Sequence, residues 1–117
     1  MEIRFDLEPV DATDPNDIDP VGTIVLIEGA QRLDEQYVYL DSWLAALLEG
    51  AEGLAERDRV EVDLIEEPQP LIFERKQEAV SISFKGKSIT VQSAEAVRVA
   101  AVTANQRLQN ERAFKSS

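Results

Sequence analysis

Several stretches of this chain alternate apolar with charged or polar residues at a period of two, and that alternation restricts the fold more than any other feature. Ile3, Phe5 and Leu7 interleave with Glu2, Arg4, Asp6 and Glu8. Val60, Val62 and Leu64 do the same with Arg59, Glu61 and Asp63, as do Val80, Ile82 and Phe84 with Ser81, Ser83 and Lys85. Side chains of a strand point alternately to opposite faces, so each such segment buries one face and wets the other. The expected result is a mainly antiparallel sheet with one covered face and one face at least partly open.

The first strand is predicted over residues 2–9, closed by Pro9. Residues 10–22, with Pro15, Pro20 and the carboxylates Asp11, Asp14, Asp17 and Asp19, read as a long acidic loop. Thr23 to Glu28 is β-branched and apolar on both faces, the pattern of a central strand covered on two sides. Gly29 ends it, and a polar connection follows. A helix is predicted at 42–56, capped by Asp41 or Ser42, with Leu44, Leu47, Leu48, Ala51, Leu54 and Ala55 on its apolar stripe. Gly50 and Gly53 each weaken it by about 1 kcal/mol relative to Ala, unless they admit a close neighbour.

Strands at 59–64, 71–76 and 80–85 follow, and a two-residue turn at Gly86-Lys87 pairs Lys85 with Ser88, Phe84 with Ile89 and Ile82 with Val91. A slip of one residue would expose the whole apolar set of that hairpin. Ser93 caps a last helix carrying Val97, Ala101, Ala104 and Leu108 at helical spacing. The chain therefore reads as one α+β domain over 1–112, with 113–117 as a frayed tail. Its order is β-β-α-β-β-β-β-α, with about six strands in one mainly antiparallel sheet and two helices packed on one face.

Composition narrows the chemistry. The 117 residues contain neither Cys nor His, which excludes imidazole bases, thiol nucleophiles, disulfides and the usual zinc ligands. Nothing at the start resembles a signal peptide, and no apolar run approaches the ~20 residues of a spanning helix, so a cytoplasmic chain without a membrane partner is expected. The net charge is -11, and it is unevenly placed: residues 1–67 carry 19 acids and 4 bases, residues 68–117 carry 4 acids and 8 bases. Either the two halves intermix and neutralise one another in the fold, or the acidic half forms one negative face that steers a basic partner. Nucleic acid is disfavoured on either arrangement.

Candidate sites are few. From Asp14, the fifth and sixth positions of an EF-hand loop are Ile18 and Asp19, so a calcium loop does not fit, and no metal or cofactor is expected. Glu28, Glu61 and Asp63 are carboxylates on strands with no basic or electrophilic companion at informative spacing. Ser81, Ser83 and Ser88 lie outside any Gly-x-Ser-x-Gly elbow. The local aromatic cluster Tyr37, Tyr39 and Trp43 sits among Asp34, Glu35 and Asp41. One arrangement makes the two tyrosines a face of a short edge strand and Trp43 a seal between helix and sheet. The other leaves Tyr39 and Trp43 partly exposed beside carboxylates, the makeup of a contact surface for Arg or Lys.

The leading expectation is a non-enzymatic, cytoplasmic, protein-binding module whose contact residues are Asp34, Glu35, Tyr37, Tyr39, Asp41 and Trp43. In size, charge and class it resembles the small acidic bacterial immunity proteins and antitoxins that occlude basic partners; no family motif is matched residue by residue. The alternatives are a structural domain that self-associates through a sheet edge or its oppositely charged halves, and a carboxylate-based ligand or enzyme domain.

Overall fold

The computed structural model describes residues 1–7, 21–65 and 67–116, the side chains of 112–116 excepted. In chain order the elements are β1 (Glu2–Leu7), β2 (Val21–Glu28), β3 (Gln31–Tyr39), α1 (Leu40–Gly53), β4 (Arg59–Val62), β5 (Leu71–Lys76), β6 (Ala79–Phe84), β7 (Lys87–Val91) and α2 (Ala94–Ser116). The class is α+β with antiparallel pairing in both sheets, as the alternation requires. The expected single sheet of about six strands is instead a three-stranded sheet, β1-β2-β3, and a four-stranded sheet, β4-β5-β6-β7. The additional strand is β3. Its residues Arg32, Asp34, Glu35 and Gln36 are polar on both faces, which is why the segment reads as a connection.

The inward row of every strand meets the two helices in one core. Ile3 and Phe5 of β1, Ile24 and Leu26 of β2, Phe73 of β5, Val80, Ile82 and Phe84 of β6, and Ile89 and Val91 of β7 are buried there. From the helices come Trp43, Leu44 and Leu47 of α1 and Val97, Ala101, Ala104 and Leu108 of α2. Among the described residues no charged or polar side chain is buried with them. The second face of β2 is not covered as expected: Thr23, Val25 and Ile27 remain half-exposed.

The two sheets meet at β3 and β7, which run antiparallel without forming a ladder. Side chains close the seam. The Gln31 amide donates to the carbonyl of Thr90 at 3.0 Å and its oxygen accepts the Thr90 N–H at 2.8 Å. Farther along, Lys87 Nζ donates to the carbonyl of Asp34 at 2.7 Å and pairs with Glu35 at 3.0 Å.

The β6–β7 hairpin keeps the expected faces and changes register. Phe84 pairs with Lys87, Ile82 with Ile89 and Val80 with Val91. The turn is therefore Lys85-Gly86, whose φ values of 51° and 80° are both positive, as a type I′ turn requires. The alternation argument distinguishes registers that differ by one residue, because one residue reverses the face; it is blind to a slip of two.

Helix α1 starts earlier than the sequence indicated. Tyr39 occupies the N-cap position without capping the helix through its side chain, and the Ser42 hydroxyl accepts the N–H of Ile65 at 3.0 Å. Gly50 is a close-approach position: a Cβ there would lie 2.2 Å from the ring of Phe73. Ser93 caps α2 as expected, its hydroxyl accepting the Ala96 N–H at 3.2 Å. That helix continues to Ser116, into the stretch read as a tail. Residues 8–20, and with them most of the acidic loop expected at 10–22, lie outside the described residues.

Candidate functional site

The local geometry of β3 follows from a conflict in its sequence. Leu33 and Val38 are the apolar residues that seek the core, and they are separated by an odd number of positions, which a regular strand places on opposite faces. A β-bulge resolves it. Ile24 pairs with Glu35 and Gly22 with Val38, so Thr23 of β2 faces both Gln36 and Tyr37. The extra residue restores the parity, and both Leu33 and Val38 are buried. Gly22, opposite the bulge, has room for no side chain: a Cβ would lie 2.0 Å from the carbonyl oxygen of Asp6.

The cost of the bulge falls on Tyr37. Its φ is 56°, in the left-handed region that L-residues other than Gly and Asn seldom occupy, and its side chain is 73% exposed. A β-branch-free aromatic held in that conformation contributes little to the core, since most of its surface remains in water.

The remaining predicted contact residues divide around it. Asp34 is exposed and stands 4.0 Å from Arg32. Tyr39 and Asp41 are half-buried at the start of α1, where the Asp41 carboxylate also meets the positive end of the helix dipole. Glu35 and Trp43 are withdrawn from the surface. Glu35 lies in the inward row at the sheet margin, its side chain 15% exposed and paired with Lys87. Trp43 is 1% exposed and packs edge-on to Phe84 with ring centroids 5.0 Å apart, so the sealing role is the one it takes. Its indole Nε1 has no hydrogen-bond partner.

One contributor was not foreseen. Ser42 holds the backbone of Ile65 against the first turn of α1, and Ile65 is 62% exposed. Ile65 is thereby held at the first turn of α1, the helix that β3 enters directly after Tyr39. No sequence signal marks Ile65, because the hydrogen bond that places it spans 23 positions.

The charge asymmetry of the sequence is partly dissolved by the fold. Bases of the second half reach acids of the first: Lys87 pairs with Glu35, Lys85 with Glu67 at 3.4 Å, and Arg75 with Asp58 at 3.0 Å. Among the described residues, the negative side chains of the first half are therefore interrupted by bases of the second. Glu49, Glu56 and Asp63 are exposed and have no ion pair among the described residues.

The strand carboxylates do not converge. Glu28 of β2 meets the N-terminal amine at 3.5 Å, and Glu61 of β4, in the other sheet, meets Arg59 at 3.1 Å. Among the described residues no group of Asp and Glu side chains is arranged to hold a metal ion, and no helix is long and apolar enough to cross a membrane. Comparison with known proteins returned no matching family model, curated protein or solved structure.

Proposed function

We propose that this chain is a non-enzymatic module that binds a basic protein through the β3–α1 junction. Tyr37 is the anchor, Ile65 adds an exposed apolar side chain held at the first turn of α1, and Asp34 and Asp41 form an acidic rim that receives Arg or Lys side chains. One observation carries the reading: Tyr37 combines a left-handed backbone with 73% exposure. The bulge repays its strain by burying Leu33 and Val38, but the Tyr37 ring itself gains no burial from it, and strained backbone concentrates where a side chain is aimed at a ligand. Tyrosine supplies a large, rigid contact area that accepts cations on its face.

Among the described residues, the ion pairs at Glu35, Asp58 and Glu67 reduce the negative charge that those three acids can offer a partner. Attraction between such a rim and a basic partner acts mainly on the association rate and fades with salt. A cytoplasmic setting agrees with the lack of cysteine, and the mode of action is that of a small acidic inhibitor occluding a basic surface.

The experiment is capture from an extract of the native host with the wild-type chain and with Tyr37→Gly. That variant relieves the backbone and removes the ring, so its fold is retained. A partner held by the wild type at low salt, released at high salt and absent from the variant supports the reading; equal capture by both chains overturns it.

A further inference from the structure

The inward rows of β1, β2 and β3 meet the helices, while the outward row of β2, made of Thr23, Val25 and Ile27, stays half-exposed. Strand register fixes what surrounds that row. Ile27 lies between Glu2 of β1 and Arg32 of β3, and Val25 lies between Arg4 and Asp34. Thr23 lies between Asp6 and the bulge at Gln36 and Tyr37. An apolar column therefore runs between two columns of exposed, charged side chains, and most of these residues line one concavity of about 450 Å³.

The charged columns are opposite in sign at each level. Where β1 presents an acid and then a base, Glu2 and Arg4, β3 presents a base and then an acid, Arg32 and Asp34. Two strands apart, at about 9–10 Å between backbones, each column pairs within itself. Glu2 meets Arg4 at 2.8 Å, and Arg32 meets Asp34 at 4.0 Å. A second copy laid face to face about a two-fold axis along β2 brings its β3 over β1. Glu2 then faces the second copy's Arg32 and Arg4 faces the second copy's Asp34, and symmetry makes each contact twice. Ile27 and Val25 meet their own counterparts on the axis, and Asp6 faces the bulge, whose Gln36 and Tyr37 are uncharged. A two-fold axis across the strands would instead set Arg4 on Arg4 and Glu2 on Asp6, so the charges select one orientation. Arg107, stacked over Phe5 at the outer margin of β1, stands outside these columns.

We propose that this chain binds a second copy of itself through the outward face of the β1-β2-β3 sheet, the two sheets stacked about a two-fold axis along β2. Aligned sheets pack about 10 Å apart, a gap that facing Glu and Arg side chains span. The interface is isologous, so assembly closes at two copies. The dimer is a function beyond the binding of a basic protein, and it shares Asp34 and the bulge with that surface. The second copy and the basic protein therefore exclude one another.

Sedimentation equilibrium tests the proposal on the wild type, on Arg32→Glu, on Glu2→Arg, and on an equimolar mixture of the two variants. At about 0.15 M salt the repulsion between chains of charge -11 is screened beyond about 8 Å. Both positions are exposed, so the fold survives substitution, and Trp43 fluorescence verifies that it does. The wild type forms a dimer. Each variant alone sets like charges together twice and raises the dissociation constant by about tenfold. The mixture restores the dimer: Glu2 of one chain meets Arg32 of the other, and the two introduced residues, opposite in charge, meet each other. A wild type that stays monomeric up to its solubility limit overturns the proposal, and so does a mixture no tighter than the variants alone. Neither position belongs to the Tyr37 surface, so these failures are distinct from a failure of the capture experiment with Tyr37→Gly.

Discussion

The side-chain amide of Gln31 bonds to both backbone groups of Thr90, accepting at 2.8 Å and donating at 3.0 Å, and so stands in for a peptide group between two strands that share no ladder. β3 and β7 are neighbours in space, and this clasp with the Lys87 contacts joins one sheet to the other. Each hydrogen bond at such an exposed position adds about 0.5–1.5 kcal/mol. Gln31→Ala is therefore expected to lower stability by about 1–2 kcal/mol in denaturant titrations followed by Trp43 fluorescence. Gln31→Glu, which cannot donate to the Thr90 carbonyl, should lose about as much.

Lys87 should matter for a different reason. Its ammonium is the cation against Glu35, a carboxylate only 15% exposed, and it also caps the Asp34 carbonyl. Lys87→Met leaves that carboxylate unpaired in a largely desolvated place, at a cost of about 1–3 kcal/mol at neutral pH. A second substitution, Glu35→Leu, should recover part of the loss; a double variant as unstable as the sum of the two single ones would show that the pair is uncoupled.

Glycine at position 50 is favourable here despite its low helix propensity. Replacement by Ala gains about 1 kcal/mol of helix propensity but drives a methyl into the Phe73 ring, and overpacking costs about 1–3 kcal/mol. Gly50→Ala is expected to be neutral to destabilising, with its penalty relieved when Phe73 is trimmed to Leu. A melting temperature raised by Gly50→Ala alone would contradict the 2.2 Å approach.

Tyr37→Gly should raise stability by about 1 kcal/mol, because glycine adopts φ near 56° without the Cβ clash and little buried surface is lost. Chemical denaturation measures the gain. Tyr37→Ala keeps the strained backbone and removes the ring, so it should not stabilise.

Two surface carboxylates carry a pH signature. A hydrogen bond from the Arg4 guanidinium holds Glu2 below the ordinary carboxylate range, and Arg98 does the same for Glu95. A carboxyl whose folded-state pKa is depressed stabilises the fold above its unfolded pKa, and the contribution is lost as pH falls through the folded value. Both groups are exposed, so the effect on stability is small, and side-chain carboxyl NMR is the suitable measurement. Arg4→Gln should return the Glu2 titration toward the ordinary range and leave Glu95 where it was.

The one-dimensional pattern accounts for much of the architecture. Alternation at a period of two places Ile3 and Phe5, Val60 and Val62, and Ile82 and Phe84 on the covered face, and helical spacing places Leu44, Leu47, Val97 and Leu108 against them. Those outcomes depend on local geometry, which each segment carries within itself. The cap at Ser93 belongs to the same class.

Pairwise and long-range geometry lies beyond such a pattern. A period of two is preserved by any even slip, so the hairpin register depended on which residues accept positive φ at the turn, and Lys85-Gly86 displaced Gly86-Lys87. β3 contains its own clue, the odd spacing of Leu33 and Val38, yet the strand exists because β2 supplies a partner for a segment too polar to announce itself. The proposed contact surface was legible in the sequence as a set of residues and not as a surface: burial withdraws Trp43 and Glu35, the bulge leaves Tyr37 exposed, and Ser42 holds Ile65, from a distant segment, at the start of α1. Which of the acids stay unneutralised was likewise settled by cross-strand packing, because Coulomb attraction acts on distances in space, and those are set only when the sheets and helices have closed on one another.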